Sequence, residues 1–204
     1  MGRFKVKKQD TFIDMTPMSD VMVLLLTFFM LTATFVKEEP VKVNAPGSVS
    51  EIKIPENNLL TIFVEKNGKV FLTMDNPVTQ EKMAQQMIDD GKLSLNAKQL
   101  KEFANVPTFG TPLNTVASWL ELEGAKRNEI LTKSPEAGIP CDSLNDELKV
   151  WVSAARTANG ENMRVAIKAD KKTSYAVIER VMNSLRSIEE NRYNLITALK
   201  GAED

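Results

Sequence analysis

A predominantly apolar run of sixteen residues, 21–36, constrains this chain more than any other feature of its sequence. As a helix rising about 1.5 Å per residue, the run reaches only about 24 Å, which is shorter than the roughly 30 Å hydrocarbon core of a bilayer. Extending the helix back to Pro17 brings its length to about 30 Å. Pro17 suits the first position of a helix, and Thr16 before it suits the N-cap. The sequence therefore predicts a transmembrane helix over 16–36.

Two other interpretations fit the run less well. A basic tip before an apolar core is also typical of a cleaved signal peptide. Here, however, an aspartate opens the core, and 32–35 (Thr-Ala-Thr-Phe) is a poor cleavage site. A helix buried in a soluble domain is the second possibility. Because the run is apolar on all its faces, such a helix would need most of this chain wrapped around it.

The charges that flank the run predict its orientation. Four basic residues precede it, whereas Lys37 after it is offset by two glutamates. The positive-inside rule then places residues 1–15 in the cytoplasm as a short tail and residues from 37 onward outside. In a Gram-negative cell this is an inner-membrane, single-pass protein with a periplasmic C-terminal part. Residues 37–58 are rich in Pro, Lys, Glu and Ser, which predicts a periplasmic linker.

Asp20 stands at the start of the predicted span. A carboxylate inside a membrane costs about 2.5–3.5 kcal/mol on insertion scales. Loss of water favours the protonated form of such a group, whereas the positive end of the helix dipole favours the ionised form by about 0.3–1 kcal/mol. A carboxyl group between these opposing effects can load and release a proton, and we predict this role for Asp20. The alternative is a residue at the headgroup boundary that only complements the helix dipole.

The helical repeat gives Asp20 polar neighbours. Thr27 and Thr34 follow it at successive steps of seven, and Thr16 precedes it by four, so the four residues lie close to one face. Threonine can bond back to the helix backbone and is individually cheap in a membrane. Together with Asp20, however, Thr27 and Thr34 form a stripe that we expect to face another helix or a hydrated proton path.

Composition argues against several other classes of function. The chain has a formal net charge of −1 and no histidine, so we expect no nucleic-acid partner and no histidine-based catalysis or metal site. The single cysteine, Cys141, has no histidine to activate it and is interpreted as a spare thiol in a loop. No glycine-rich phosphate loop indicates nucleotide hydrolysis. We therefore expect no enzyme activity, no metal and no cofactor.

Residues 13–26, Ile-Asp-Met-Thr-Pro-Met-Ser-Asp-Val-Met-Val-Leu-Leu-Leu, closely resemble the signature of the ExbD/TolR family, in which a T-P-x-x-D-V element opens the only transmembrane helix. The resemblance implies that Asp20 is the proton-carrying aspartate and that Thr16 and Pro17 are the helix-opening pair. Where the family usually has asparagine, this chain has Asp14, which should be solvated ahead of the helix.

The same resemblance implies the partners and the task. It predicts a dimer of the chain inside a ring of ExbB/TolQ-like channel subunits, using proton flow to energise TonB-dependent transport through a TonB-like, periplasm-spanning protein. A TolR-like role in envelope constriction, or a gliding or secretion motor, is the alternative within the family. A passive membrane anchor for a periplasmic binding module is the alternative from another class.

Residues 59–204 are predicted to form an α+β domain. Two β-rich runs, 59–64 and 69–72, flank Asn67-Gly68 and predict a hairpin. A strand over 163–170, an amphipathic helix over 174–190 and a last strand over 193–199 follow. The buried stripe of that helix is predicted to comprise Val177, Ile178, Val181, Met182, Leu185 and Ile188. The hairpin, the last strand and the stretch 169–178 resemble the family's small periplasmic domain.

Between these parts, residues 73–161 are longer than the family's usual connection and are predicted to be a mostly helical insertion. Its candidate helices are 79–90, 97–104, 112–123 and 143–158. The carboxylates Asp89, Asp90, Glu121, Glu123, Asp146 and Glu147 are interpreted as solvated helix faces. A docking surface, a dimer contact and additional core all remain open as the role of the insertion.

Overall fold

The computed structural model describes residues 15–33, 41, 43–48, 58–142, 145–196 and 198–199. It comprises two compact units, divided between Lys37 and Glu38, which are described separately. Most of the predicted tail and linker, including Asp14 and 52–54, lies outside the described residues. So does Thr34.

The first unit contains helix α1, Thr16–Thr32, of 17 residues. Its N-cap is Met15, so the assignment of Thr16 as the cap was wrong by one residue. Proline is accepted near a helix start because the first four N–H groups have no intrahelical partner, and Pro17 therefore does not fix which residue is the cap. Ala33 is extended and ends α1 four residues before the predicted end. Among the described residues, no helix combines the length and the apolarity required to cross a membrane.

The second unit begins with the short strand β1, Gly47–Ser48, followed by β2, Leu59–Val64, and β3, Val70–Met74. β2 and β3 pair antiparallel with Val64 opposite Val70, which confirms the predicted hairpin. The turn closes through the Glu65 N–H, which donates to the Lys69 carbonyl at 3.0 Å. Gly68 has φ +82°, a conformation that its lack of a side chain permits.

A helical stretch connects the hairpin to the rest of the sheet. It contains α2 (Pro77–Asp89), α3 (Ala97–Asn105), β4 (Thr108–Phe109), α4 (Val116–Leu120), α5 (Gly124–Lys133), α6 (Glu147–Asn159) and a 3-10 turn (Gly160–Asn162). The prediction that this segment is mostly helical is therefore confirmed, although the bounds of its helices differ. The predicted helix 112–123 is reduced to five residues, and α5 was not predicted. Only Leu131 of α5 is buried, so its sequence has no apolar stripe to reveal it.

The chain returns to the sheet as β5, Arg164–Ala169, which pairs parallel with β2. Helix α7, Tyr175–Ser187, then connects β5 to the parallel strand β6, Tyr193–Leu195. The sheet order is β4-β3-β2-β5-β6. The predicted last strand is divided, since β7, Ala198–Leu199, leaves the main sheet and pairs parallel with β1. The mixed α+β class is confirmed.

The core of this unit packs helices against the sheet. Three aromatic rings from α3, β4 and α6 contact one another, with centroids of Phe103, Phe109 and Trp151 between 4.9 and 5.8 Å apart. The predicted stripe of α7 is confirmed. Three of its residues are buried, and the other three, Ile178, Met182 and Ile188, are partly buried against the core.

The predicted carboxylate faces divide into two groups. Asp89, Asp90, Glu121 and Glu123 are exposed, as expected. The prediction was wrong for Asp146 and Glu147, which are half-buried and structural. Asp146 accepts from the Lys149 N–H at 3.3 Å and caps α6, and Glu147 accepts from the Leu113 N–H at 2.7 Å. The bond between Glu147 and Leu113 attaches the start of α6 to the segment before α4.

Two glycines provide a matched test of packing at the sheet. A Cβ on Gly110 would lie 2.4 Å from Cδ1 of Phe71 and 3.1 Å from its Cα, whereas a Cβ on Gly124 would meet nothing closer than 4.0 Å. We expect Gly110→Ala to lower the free energy of unfolding by about 1–3 kcal/mol through overpacking. Gly124→Ala should leave it unchanged or slightly raised, because alanine favours helix. Denaturant unfolding of both variants checks this, and equal effects would contradict it.

Candidate functional site

The polar face of α1 holds the predicted proton-carrying residue. Asp20 is the fifth residue of α1, one turn beyond its start. Thr27 lies seven positions later, about 20° around the helix axis and about 10 Å along it. Thr16 lies four positions earlier and about 40° around the axis. The structure thus brings Thr16, Asp20 and Thr27 to one face of α1, while Pro17 lies in its first turn.

Three hydroxyl groups of α1 are bonded to the helix itself. Thr27 Oγ1 donates to the Leu24 carbonyl at 2.9 Å, and Thr32 Oγ1 donates to the Phe28 carbonyl at 2.8 Å. Ser19 donates to the Met15 carbonyl at 3.2 Å. Each of these three hydroxyls therefore has its proton occupied and only its acceptor capacity remaining.

The rest of α1 is apolar and uncovered within the described chain. No residue of the helix is buried, and its large apolar side chains range from 49% exposed at Leu25 to 87% at Leu31. A continuous apolar surface of this kind marks a site for membrane or protein contact.

A second polar cluster lies at the ends of β2 and β5. The Asp170 carboxylate accepts from the Lys172 N–H at 2.9 Å and from the Asn44 N–H at 3.2 Å. The Lys171 N–H donates to the Asn44 carbonyl at 2.9 Å, and the Asp170 N–H donates to the Val64 carbonyl at 2.9 Å. Asp170 therefore ties the segment 43–48 to the edge of the domain.

Glu65 and Asp170 line the same cavity of about 370 Å³, together with Lys66, Lys171, Lys172 and Asn44. Partial burial raises the pKa of Glu65 above its ordinary value of 4.5, against the opposing effect of Lys69 and Lys66. The hydrogen bond from the Lys172 N–H lowers the pKa of Asp170 below its ordinary value of 3.8. The pKa values of the two carboxyls are thus shifted in opposite directions.

Cys141 is a free thiol in the connection between α5 and α6, as predicted, but it is buried. It is 9% exposed, belongs to the core cluster and forms an isolated bridge with Asp146. Burial raises the pKa of its thiol, which disfavours the reactive thiolate.

The chain thus combines one apolar helix, which carries a carboxyl one turn from its start, with a separate α+β domain. The sequence model of the family described as "Biopolymer transport protein ExbD/TolR" matches residues 7–109. The chain belongs to the ExbD/TolR family.

A curated relative, "Biopolymer transport protein exbD2" of Vibrio cholerae serotype O1, is 30% identical over 67 residues. The match covers 33% of this chain and 50% of the relative, so the chain spans about half of that relative's length. No solved structure matches this chain.

The family match ends at 109, within the stretch predicted as an insertion. It includes α1, the hairpin, α2 and α3, whereas α4 to α7 and the resembling stretch 169–178 lie beyond it. Sequence reasoning missed the Glu65–Asp170 cluster. The hairpin signal placed Glu65 in a turn, but nothing local showed that β5 would bring Asp170 beside it.

Glu65 provides a pH-dependent prediction. A raised pKa means that the folded state holds the Glu65 proton more tightly than the unfolded state does. The protonated carboxyl therefore stabilises the folded state below pH 4.5, and this stabilisation is lost as the pH rises through the raised pKa. We expect Glu65→Gln to raise the melting temperature at pH 7 and to have a smaller effect at pH 4. An equal effect at both pH values would contradict the burial argument.

Asp170 should behave in the opposite way. Because the pKa of Asp170 is lowered, its ionised carboxylate stabilises the folded state above pH 3.8. This stabilisation is lost as the pH falls through the lowered pKa. Asp170→Asn should therefore lower the melting temperature at pH 7, and the difference should shrink as the pH falls below 3.8. Thermal unfolding followed by circular dichroism measures both carboxyl variants, with Asp89→Asn on the exposed end of α2 as a matched control.

Proposed function

We propose that this chain is a proton-motive-force-driven motor subunit which, with ExbB-like channel subunits, energises TonB-dependent transport across the outer membrane. Membership of the ExbD/TolR family indicates a role in energising biopolymer transport. The single observation that carries the finer proposal is the position of Asp20 on an apolar helix with no buried residue. A carboxyl in such surroundings requires partners that the described chain does not supply.

The proposed location is the inner membrane, with residues 1–15 in the cytoplasm and the α+β domain in the periplasm. The charge difference between the two flanks of α1 supports this orientation. The exposed apolar surface of α1 supports a membrane environment, since in water it would be a large uncovered patch.

In the proposed mechanism, α1 lies as one of a pair inside a ring of ExbB/TolQ-like subunits. Asp20 takes a proton from the periplasmic side, becomes neutral, and releases it toward the cytoplasm when the ring turns. Neutralisation removes most of the cost of moving the carboxyl past apolar surface. About 2.3 kcal/mol per charge is available from 100 mV, and roughly 1.4 kcal/mol from each pH unit.

The α+β domain would pass the resulting force to a TonB-like partner. The similarity to the Vibrio cholerae protein exbD2 supports an ExbD-type role over a TolR-type role in envelope constriction. In this role the chain transmits force and does not act as an enzyme. Its one thiol is buried and has a raised pKa, which is unsuited to nucleophilic catalysis.

The proton mechanism predicts a specific loss of activity. Asp20→Asn keeps the size and polarity of the side chain but cannot ionise, so we expect assembly with the channel subunit to persist and TonB-dependent uptake to fall to background. Asp14→Asn is the matched control, because Asp14 precedes the helix, and it should retain activity. Uptake in cells that lack the native subunit, together with co-purification, measures both properties. Full uptake by Asp20→Asn would refute the mechanism.

A binding experiment distinguishes the two family roles. Full-length protein is purified with its channel subunit and presented with a TonB-like protein or with cell-wall fragments. We expect retention of the TonB-like protein. Retention of cell-wall fragments alone would instead favour the TolR-type role.

A further inference from the structure

The helical stretch beyond the family match contains a cavity that the proposed function does not use. It has a volume of about 640 Å³ and lies between α4, α5 and the segment after α5. Its lining includes Thr111, Ser118, Trp119, Leu122, Ile130 and Ala137. This volume falls within the range of about 300–1,000 Å³ that small-molecule sites occupy. All of its lining residues follow residue 109, where the family match ends.

The walls of the cavity are held by hydrogen bonds. The Trp119 indole N–H donates to the Arg127 carbonyl at 3.3 Å, which joins α4 to α5. Thr115 Oγ1 donates to the Pro112 carbonyl at 2.9 Å, and the Gly138 N–H donates to the Gly110 carbonyl at 2.7 Å. The cavity is therefore already formed in the free chain, as sites for small molecules usually are.

One polar group in the wall has no partner. Thr111 is 4% exposed, and its hydroxyl makes no hydrogen bond with any other described residue. A buried hydroxyl without a partner costs about 1–3 kcal/mol, so such groups are uncommon in native structures. The Thr111 oxygen is itself inaccessible to solvent, so this hydroxyl lies within the packed wall and not on the surface that a ligand would touch.

Charge restricts the class of ligand. Glu136 is the one charged side chain among the residues that line the cavity, and it disfavours an anion there. An adjoining depression shares Leu122, Ile130 and Ser134 with the cavity and adds Lys126, Lys133 and Glu129. Lys133 pairs with Glu129 at 2.8 Å, so the charge of this lysine is already balanced. Apolar walls beside a lone carboxylate therefore disfavour an anionic ligand.

We propose that this cavity binds a small, non-anionic apolar molecule that packs against Trp119, Leu122 and Ile130. Binding would join α4, α5 and the segment around residue 136 more firmly. This site is independent of proton transfer at Asp20, and it would give the helical stretch a ligand-responsive function.

Photolabelling of the full chain in lipid nanodiscs tests the proposal. The probe is 3-azioctanol, a neutral photoactivatable alcohol, and adducts are located by mass spectrometry. We expect adducts within 111–137 that excess 1-octanol suppresses, with octanoate at least about tenfold less effective because burying a carboxylate is costly. Labelling of α1, which is apolar and exposed, serves as an internal reference. Absence of saturable adducts in 111–137, or stronger protection by octanoate, would overturn the proposal.

Ser118→Trp and Ser153→Trp form a matched pair for this experiment. Ser118 is exposed and lines the cavity, whereas Ser153 is exposed on α6 and does not line it. We expect Ser118→Trp to abolish the saturable adducts and Ser153→Trp to keep them, with both variants folded by circular dichroism. Saturable labelling that persists in Ser118→Trp would refute the cavity as the site.

Discussion

The pairing of β2 with β5 holds together parts of the chain that are far apart in sequence, from Leu59 opposite Arg164 to Val64 opposite Ala169. Both strands are almost entirely buried, so their backbone groups can be satisfied only by each other and by their outer neighbours. Once this register is set, the ends of the strands meet, and Asp170 reaches Asn44 and the cavity it shares with Glu65. The parallel β5-α7-β6 unit then continues from the same strand.

The long connection between β3 and β5 is therefore part of the core. Phe103, Phe109 and Trp151 pack in one aromatic cluster, and Glu147 bonds to the backbone before α4. Such contacts combine the area of buried rings with a charge-assisted hydrogen bond. Of the three roles left open for this segment, additional core is thus established. The cavity beside Trp119 shows that core formation does not use all of its surface.

Helix α1 differs from the second unit in the exposure of its apolar side chains. The second unit hides its apolar side chains among themselves, whereas α1 exposes apolar side chains on every face. Within α1, the hydroxyl groups of Thr27 and Thr32 donate to backbone carbonyls of the same helix. Membrane lipid and neighbouring helices are the surroundings in which such a surface is satisfied. The proposed motor function depends on this contrast.

Features that depend on residues close in sequence could be predicted from the sequence alone. These include α1 with Asp20 one turn inside it, the hairpin at Asn67-Gly68, and the buried stripe of α7. Each follows from a local repeat or a turn signal that needs no distant partner. Tertiary structure alone decided the burial of Cys141, the capping role of Asp146, the contact between Glu147 and Leu113, and the unpartnered hydroxyl of Thr111. The physical reason is that burial and hydrogen-bond partners across long separations depend on which elements pack together, and no local pattern in a single sequence specifies that.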